Sequence, residues 1–305
     1  MRTLVRRPPL LVLGLLLLVA ACTASTDPPP PRSTGVIRVA AFDFTESEIL
    51  AQLYSQALRA KGYPTGPVVQ GGPRELVQPA LAEGLIDLVP EYAGSALSFL
   101  TLGAVGGTAN VTDTHDALTL VVAPLNIVAL KPALAQDSNA IAVTQATADR
   151  FGLRDISDLT SVGARLVFGG PPECAQRRLC LAGLESVYGI EFRDFIPLDT
   201  GGPLTLQALR SGSIDVALLF STDPAIESEG LVVLTDDRGL QPSENVTPLV
   251  RRETLSAHGD GVVQTLDAVS ALLTTSDLRA MIGQVVEGSA AHEVAAVWLH
   301  DRGLA

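Results

Sequence analysis

The sequence has few residues of the kinds that mark enzyme active sites or metal centres. It contains four histidines and three cysteines, and it has no P-loop, G-x-S-x-G or G-x-G-x-x-G pattern. The segment that starts at His292-Glu293 begins like a zinc-protease helix, but Ala296 stands where the second histidine is needed. Although catalytic groups need not be close in sequence, nothing here favours an enzyme. We therefore expect no catalytic activity, no cofactor and no metal site.

The chain also lacks positive charge. It has 21 Lys and Arg against 33 Asp and Glu, which gives a net charge of −12. Nucleic-acid binding requires clustered Lys and Arg against the phosphates, so we expect no nucleic-acid partner. An acidic protein suits a cationic or zwitterionic ligand, although net negative charge mainly favours solubility.

Long hydrophobic runs are absent except near the start. Three arginines precede an apolar run at 10–21, which ends in Val-Ala-Ala before Cys22. Positive charge, a short apolar segment and small residues before a cysteine are typical of a secretory signal with a lipoprotein cleavage site. The alternative is an uncleaved anchor, but the run is well short of the roughly 20 residues that a spanning helix needs. We expect residues 1–21 to be a signal peptide.

Cleavage leaves Cys22 as the first residue, with lipid on its thiol. Residues 22–35 are polar, and Pro28 to Pro31 favour an extended, semi-rigid spacer. The remaining body of about 270 residues corresponds to one large or two modest domains. We expect a monomer, lipid-anchored to the outer face of the cell membrane.

Two cysteines remain in that body, Cys174 and Cys180, in the segment PECAQRRLC. In an oxidising compartment such a close pair most simply forms a disulfide that closes a short loop. A metal site is the alternative, but no histidine lies near them and the spacing matches no zinc pattern. We favour the disulfide.

Strand and helix patterns alternate along the body. VIRVAA at 36–41 is typical of a buried strand, and TESE at 45–48 predicts a capping box that opens a helix. Apolar residues, Tyr54 among them, then recur at helical spacing until Gly62, which assigns Tyr54 to the core. A strand near Val68, a helix at 73–83 and a strand at 85–89 follow. This alternation predicts βαβ units in an α/β fold with a largely parallel sheet.

One helix–strand unit occurs twice. ALAEGLID at 80–87 recurs as ALRSGSID, so that Gly84 matches Gly212 at an offset of 128 residues. Polar residues follow each predicted strand, in EYAGS and in FSTD. Ligands of open α/β sheets bind beyond the carboxyl ends of strands. Two lobes facing a shared cleft would place Tyr92 opposite residues 220–223, and chance similarity between βα units is the alternative.

Several segments carry a resemblance to a known family. They are AFDFTESEILAQLYSQAL, GLIDLVPEYAGSAL, LFSTDPAI with LVVLTDD, and LTTSDLRAMIGQVV with VAAVWLHDRGL. From about Val36 to Leu304 the chain resembles the substrate-binding lipoproteins of osmoprotectant ABC importers, which bind glycine betaine, choline or carnitine. D-F-T-E, P-E-Y-x-G and F-S-T-D are specific in combination. The resemblance implies a two-lobe, type II periplasmic-binding-protein-like fold, each lobe a mostly parallel sheet flanked by helices, with the ligand cleft between them.

The resemblance also implies an organisation and a partner. Lobe I would comprise residues 36–134 plus 245–305, and lobe II residues 135–244, with crossings near 131–137 and 239–245. The closed protein would dock on an ABC permease in the membrane. A separate cytoplasmic subunit would hydrolyse ATP, so no nucleotide or metal site is expected.

The same resemblance supplies the candidate ligand residues. Tyr92 matches a cleft tyrosine that would hold a quaternary ammonium by cation–π attraction, with core packing as the alternative. Ser95 would hydrogen-bond a ligand oxygen. The full candidate set is Asp43, Phe44, Thr45, Tyr92, Ser95, Asp137, Asn139, Ser221, Thr222, Asp223 and Glu244.

The sequence departs from the family at three of its ligand positions. Asn139 and Glu244 stand where many members have tyrosine, and Ala225 stands where an arginine commonly clamps a carboxylate. Asp137, Asp223 and Glu244 would attract a cation directly, which favours choline-like ligands over a betaine. The same residues also suit a hydroxyl-rich or neutral solute. For Asp137 and Glu244, a solvated loop between the lobes is the alternative.

Three functions follow from these observations. The first is an importer lipoprotein that captures a quaternary-ammonium osmoprotectant of the choline or glycine betaine type. The second is the same transport role for a different small polar solute. The third is a binding module that works outside transport, such as a sensor.

Overall fold

The structure is a computed structural model that describes residues 35–199 and 201–305. The predicted signal segment, the lipidation site Cys22 and the spacer up to residue 34 lie outside the described residues. In the described part, no helix has the length and apolar character needed to cross a membrane.

The described residues form ten strands and twelve helices, joined by short 3₁₀ turns. The strands are β1 Ala40–Ala41, β2 Val69–Gln70, β3 Leu88–Tyr92, β4 Ile127–Ala129, β5 Asn139–Thr144, β6 Val167–Gly170, β7 Asp194–Pro197, β8 Val216–Phe220, β9 Leu231–Val233 and β10 Val246–Arg251. The helices are α1 Thr45–Ala60, α2 Arg74–Glu83, α3 Ala93–Leu100, α4 Val111–Val122, α5 Gln145–Phe151, α6 Leu181–Gly183, α7 Pro203–Ser211, α8 Ala225–Ser228, α9 Arg252–His258, α10 Asp260–Leu272, α11 Thr275–Val286 and α12 Ala291–Asp301.

The strands form two sheets with the same strand order. In the first sheet β2 pairs with β1, a bridge from Val39 to Leu88 joins β1 to β3, and β10 lies between β3 and β4. The second sheet has the order β7-β6-β8-β5-β9. The parallel strands β2, β1 and β3 of the first sheet correspond to β7, β6 and β8 of the second, and the strands of the repeat, β3 and β8, occupy matching places. The two sheets therefore have the same architecture.

One strand in each sheet runs against the other four. β10 is antiparallel to both β3 and β4, and β5 is antiparallel to both β8 and β9. Each reversed strand is the first one after the chain passes from one sheet to the other. Each passage between the sheets reaches its new sheet at the edge where the parallel strands have their carboxyl ends. The next strand, β5 or β10, therefore runs away from that edge and is antiparallel to its neighbours. The predicted mostly parallel sheets are confirmed with this one exception apiece.

The two passages between the sheets pair with each other. Gln136 and Asn245 form an antiparallel bridge, and the Val246 amide donates to the Ala135 carbonyl at 2.9 Å. The Asp137 amide donates to the Glu244 carbonyl at 3.3 Å. These paired crossing segments, residues 135–137 and 244–246, connect the two sheets beside the candidate site residues Asp137 and Glu244.

The internal repeat has a structural cause. The Asp87 carboxylate accepts the backbone N–H of Arg38, and the Asp215 carboxylate accepts that of Val167, both at 2.8 Å. Each aspartate thereby ties the strand of the repeat to the neighbouring parallel strand. Gly84 and Gly212 end α2 and α7 with φ of 77° and 70°, a conformation that favours glycine. The repeat is therefore equivalent in the two sheets rather than a chance similarity.

Helix α1 confirms one prediction and corrects another. It begins at Thr45 as predicted, but its N-cap is Phe44, and no side chain caps the helix. The predicted capping box is wrong because Thr45 is already the first helical residue, and the Glu48 backbone N–H donates to the Phe44 carbonyl at 3.2 Å. Glu46 turns inward and is buried. Tyr54 is fully buried, as predicted, and its hydroxyl lies 2.9 Å from that of Ser270.

The C-terminal helices complete the core on one side of the first sheet. Helix α1 packs on α10, α11 and α12. Trp298 and Leu299 of α12 are buried in this cluster together with Leu266 and Val269 of α10. The candidate zinc-protease histidine, His292, is exposed at the start of α12, as expected of a surface helix. These helices fix the first turn of α1, which carries Glu46.

Candidate ligand-binding site

A cavity of about 1120 Å³ lies where the two halves of the fold meet. One side is formed by Arg74, by α3 and by the glycine-rich loop that follows α3, and the other by residues 177–179 and 186–187. The second crossing segment contributes Pro242 and Glu244. Two of the predicted ligand residues, Ser95 and Glu244, lie in this wall. We call this space the central cavity.

Glu244 is a buried carboxyl group in the wall of the central cavity. It is 8% exposed, and it accepts the Ser95 backbone N–H and hydroxyl at 2.9 Å each. Gly94 packs against it, since an added Cβ there would lie 3.0 Å from a Glu244 oxygen. Burial raises the pKa of Glu244 to about 7, and the hydrogen bonds from Ser95 oppose this shift. Within the described residues it has no salt-bridge partner.

Arg74 also lines the central cavity, but its charge is already engaged. Its guanidinium donates to both oxygens of the fully buried Glu91, at 2.9 and 3.0 Å. Gln78 and the Tyr92 backbone N–H donate to the same carboxylate, at 2.6 and 3.0 Å. This arrangement fixes the start of α2 to the end of β3. The sequence indicated no role for either charged residue.

The opposite wall is a loop that carries two arginines. Cys174 and Cys180 are bonded as a disulfide with their Cα atoms 5.3 Å apart, and Arg177 and Arg178 lie between them. Arg177 is exposed and forms an exposed ion pair with Glu173 at 3.2 Å. The Arg178 side chain has no hydrogen bond or ion pair to any described residue. We call residues 174–180 the disulfide loop.

Tyr92 lies at the inner end of a series of aromatic rings. The rings of Phe42 and Phe44 are 6.0 Å apart, and those of Phe44 and Tyr92 are 6.2 Å apart. Tyr92 is only 5% exposed and packs in the core, whereas Phe44 is 45% exposed. The Tyr92 hydroxyl donates to Glu46 at 2.6 Å. Phe44 is therefore the ring of this series that offers an open face.

Glu46 and Asp137 form a pair of neighbouring carboxyl groups. Burial raises the pKa of Glu46, and the negative charge of Asp137 raises it further. Burial likewise raises the pKa of Asp137, while hydrogen bonds from Thr222 lower it. Asp137 Oδ1 is buried without a hydrogen-bond partner in the described residues. The Thr222 side chain also hydrogen-bonds Glu46. Because Thr222 follows β8 and Glu46 lies in the first turn of α1, this contact joins the two halves of the fold.

These carboxyl groups predict that the empty protein loses stability as pH rises. Glu244 has a folded pKa of about 7 against an ordinary value of 4.5, so the folded state holds a proton that the unfolded chain releases. Unfolding free energy then falls from about pH 5 to pH 7, by at most about 1.4 kcal/mol per pH unit for each such group. Glu46 adds to the same trend.

Urea unfolding at pH 5, 6, 7 and 8 measures this slope. Glu46→Gln is expected to reduce it, whereas the neighbouring Glu48→Gln should leave it unchanged. An equal slope in the wild type and in Glu46→Gln would contradict the assignment to Glu46.

The remaining predicted residues lie outside the central cavity. Some of them form hydrogen bonds within the protein, and the others are exposed. Asn139 donates to the Leu179 carbonyl at 3.1 Å and to Gln241 at 3.2 Å. The Ser221 hydroxyl donates to the Gln136 carbonyl and accepts from the Ser138 N–H, and the Asp223 carboxylate accepts the Ala225 N–H. Ser221 and Asn139 line a separate cavity of about 420 Å³. Asp43 and Thr45 are exposed.

The structure thus divides the predicted set. Ser95 and Glu244 share the central cavity, while Tyr92, Thr222 and Asp137 cluster around Glu46. Sequence reasoning missed Glu46, because TESE looked like a capping box, and it missed the arginines of the disulfide loop. PECAQRRLC did carry that signal, since it holds two adjacent cations within a closed loop. In the described residues no group of three or more His, Cys, Asp or Glu side chains is arranged to hold a metal ion.

Comparison with known proteins gives consistent matches over this body. A family model described as the substrate binding domain of ABC-type glycine betaine transport system matches residues 35–301. The glycine betaine-binding protein YehZ of Escherichia coli (strain K12) is 27% identical over 277 residues, which cover 88% of this chain and 90% of YehZ. A glycine-betaine-binding protein of Pseudomonas aeruginosa is 27% identical over 280 residues, with 88% of each chain covered.

The fold is also that of solved structures. One described as the crystal structure of a glycine betaine/carnitine/choline ABC transporter superposes with a TM-score of 0.80 at 22% identity, covering 88% of this chain and 99% of that chain. The predicted two-lobe, type II binding-protein fold is confirmed.

Proposed function

Because this chain belongs to the family of substrate-binding domains of ABC-type glycine betaine transport systems, we propose that it captures a solute with a quaternary ammonium group, of the choline or glycine betaine type, and delivers it to a membrane permease. It is a transport protein and not an enzyme. Glu244 carries the proposal, since it is a carboxyl buried in the wall of the central cavity with no salt-bridge partner in the described residues. A quaternary ammonium has no proton to donate, so its charge must be balanced by a carboxylate or an aromatic face.

The other candidate residues have supporting roles in this proposal. Phe44 offers an open aromatic face beside Tyr92, and such a face attracts a desolvated cation by about 2 kcal/mol. Tyr92 remains a proposed cage residue, although it is buried in this structure. Glu46 and Asp137 lie close to Tyr92, and a cation bound near them would favour their ionised forms. Asp43, Thr45, Ser221, Thr222 and Asp223 complete the proposed set around the cleft.

Capture requires the two halves of the fold to close on the ligand. We assign lobe I to residues 36–134 plus 245–305 and lobe II to residues 135–244, connected through the paired crossing segments. A ligand that contacts both lobes stabilises the closed form only by its greater affinity for that form. The closed protein then docks on the permease, while a separate subunit hydrolyses ATP.

The location of the protein follows from its first residues. We propose that residues 1–21 are a signal peptide and that the mature chain is a monomer anchored through lipid on Cys22, with residues 22–35 as a spacer. An anchored binding protein meets solutes outside the cytoplasm and stays beside its permease.

An oxidising location also predicts that the disulfide stabilises the protein. Closing the short loop between Cys174 and Cys180 is expected to contribute about 2 kcal/mol. The measurement is urea unfolding of the wild type and of the Cys174→Ser/Cys180→Ser double variant, each with and without reductant. Reductant should destabilise only the wild type. If it has no effect on the wild type, the two cysteines are not paired.

A second solute class is a specific alternative. Asn139 and Glu244 stand where the family resemblance implies tyrosines, and a hydroxyl-rich or otherwise polar solute in the central cavity would find the Ser95 hydroxyl and the Glu244 carboxyl. The transport role would be unchanged, and only the ligand would differ.

A thermal-shift screen of residues 34–305 separates these solute classes. The protein is unfolded and refolded once to strip bound ligand, then tested with choline, glycine betaine, carnitine, proline betaine, sugars, polyols and amino acids. A ligand at 100 times its dissociation constant adds about 2.7 kcal/mol, which should raise the melting temperature by at least roughly 2 °C. Shifts with quaternary ammonium compounds alone support the proposal. Shifts with a different solute alone would replace the ligand, and no shift with any solute would count against capture.

A further inference from the structure

The two walls of the central cavity carry ionisable groups of opposite charge. Glu244 supplies a carboxyl group from the second crossing segment, and Arg177 and Arg178 supply guanidinium groups from the disulfide loop. Arg74 lies near Glu244, and its charge lowers the pKa of that carboxyl, but its Nε and Nη2 groups already donate to Glu91. Arg177 is partly balanced by Glu173. Arg178 is thus the cation of this wall that no described residue balances.

The disulfide loop is held in place where its arginines face the cavity. The bond between Cys174 and Cys180 closes its ends. The Leu179 carbonyl, directly after Arg178, accepts the amide N–H groups of Asn139 and Gln241, at 3.1 and 2.9 Å. Asn139 also donates to the Gln241 side chain. Two amides therefore fix the backbone beside Arg178.

Arg178 is exposed in the cavity wall, and an unpaired arginine at such a position is suited to a carboxylate. Its guanidinium has five N–H donors in a planar fork that matches two carboxylate oxygens. The arginine that commonly clamps the ligand carboxylate in this family is Ala225 here, and Ala225 is buried in α8. Its loss alone favours a cation without a carboxylate, such as choline. The two arginines of the disulfide loop supply another positive group for a carboxylate, so they favour a betaine over choline.

We propose that Arg178, with Arg177 beside it, binds the carboxylate of a zwitterionic betaine whose quaternary ammonium lies toward Glu244, and that Asn139 and Gln241 position this arginine wall. The proposal rests on the proposed function and narrows its ligand from quaternary ammonium compounds in general to those that carry a carboxylate. It gives Asn139 a positioning role through its hydrogen bonds to Leu179 and Gln241. The size of the central cavity leaves room for betaines longer than glycine betaine.

The test compares a betaine with its methyl ester, which keeps the quaternary ammonium and removes the negative charge. Isothermal titration of the wild type with carnitine and with carnitine methyl ester, at pH 8, is expected to show at least roughly tenfold weaker binding of the ester. Arg178→Ala should weaken carnitine binding to the level of the ester and leave the ester unaffected. Arg154→Ala is the matched control, because it removes an exposed arginine of the same lobe outside the cavity.

The positioning role of Asn139 is tested by measuring the affinities of Asn139→Ala for carnitine and for carnitine methyl ester. If Asn139 holds the arginine wall, carnitine binding falls toward that of its ester while ester binding is retained. A general structural defect would weaken both ligands equally and would overturn the positioning role.

The outcomes separate this inference from the proposed function. Equal binding of carnitine and its ester by the wild type, or an unchanged ratio in Arg178→Ala, overturns the arginine wall and leaves capture of a quaternary ammonium intact. If the wild type binds neither these two ligands nor choline and glycine betaine, both proposals fail.

Discussion

Replacing Glu244 with glutamine is expected to weaken choline binding roughly 30-fold or more. The change keeps the size of the side chain and an acceptor for Ser95, but it removes the charge that faces the ligand. Loss of one member of a buried charge pair costs about 2 kcal/mol or more, and every 1.4 kcal/mol is a factor of ten in affinity. Calorimetric titration of the two proteins at pH 8 measures the difference.

The same carboxyl group predicts how affinity depends on pH. The pKa of Glu244 is raised to about 7 in the empty protein, so the group is mostly protonated at pH 6 and mostly ionised at pH 8. A permanent cation binds the ionised form, so wild-type affinity should increase from pH 6 to pH 8, approaching tenfold. In Glu244→Gln this dependence should be lost.

Two controls distinguish charge from structure. Glu83→Gln changes an exposed glutamate outside the cavity and should leave binding unchanged. The tert-butyl analogue of choline, in which carbon replaces nitrogen, should bind equally to the wild type and to Glu244→Gln. If the uncharged analogue loses as much affinity as choline does, the effect of Glu244 is structural and its role as the partner of the cation is wrong.

Replacing Glu91 with glutamine is expected to produce the largest loss of stability, about 3 kcal/mol or more. Glu91 is fully buried and balances Arg74 while it also accepts from Gln78 and the Tyr92 backbone. Removing the Glu91 charge leaves Arg74, which is 24% exposed, without its ion-pair partner, so we expect the lower end of the roughly 3–5 kcal/mol that breaking a buried pair costs. For a domain of this size that corresponds to a fall in melting temperature of roughly 6 °C or more, measured by circular dichroism.

A double-mutant cycle shows whether the ion pair is the cause. Arg74→Ala in the Glu91→Gln background removes the unbalanced charge and should cost less than Arg74→Ala in the wild type. Glu75→Gln, which changes the exposed neighbour on α2, should be nearly neutral. Additive effects of the two changes would mean that Arg74 and Glu91 do not stabilise each other.

The sequence predicted the architecture because the architecture is periodic and repeated. The helix, glycine stop and buried strand around Gly84 and Gly212 are local signals, and they indicated two similar α/β units before their places in the sheets were known. Exact bounds were less accurate, since the strand predicted at 85–89 is Leu88–Tyr92. The reversed strands β5 and β10 were not predicted, because strand direction depends on where the chain enters a sheet and not on its local pattern.

The site was only partly predictable for a related reason. Ser95 and Glu244 were found through their matches to family motifs, and they meet in one wall although 149 positions separate them. Tyr92 matched a motif equally well, yet its burial depends on Phe44 and on the orientation of Glu46, neither of which local sequence specifies. Arg178 matched no motif, because its relation to the cavity arises only when the disulfide loop folds against Asn139 and Gln241.

Calorimetric titration of the refolded wild type at pH 8 with two matched pairs of ligands shows whether this protein recognises a quaternary ammonium group. One pair is choline and its tert-butyl analogue, and the other is glycine betaine and tert-butylacetate, so that only the positive charge differs within each pair. We expect binding of at least one quaternary ammonium compound, and binding at least roughly tenfold weaker for the counterpart that lacks the positive charge. Equal binding within both pairs, or no binding of either quaternary ammonium compound, would contradict the claim that this protein captures its solute through a quaternary ammonium group.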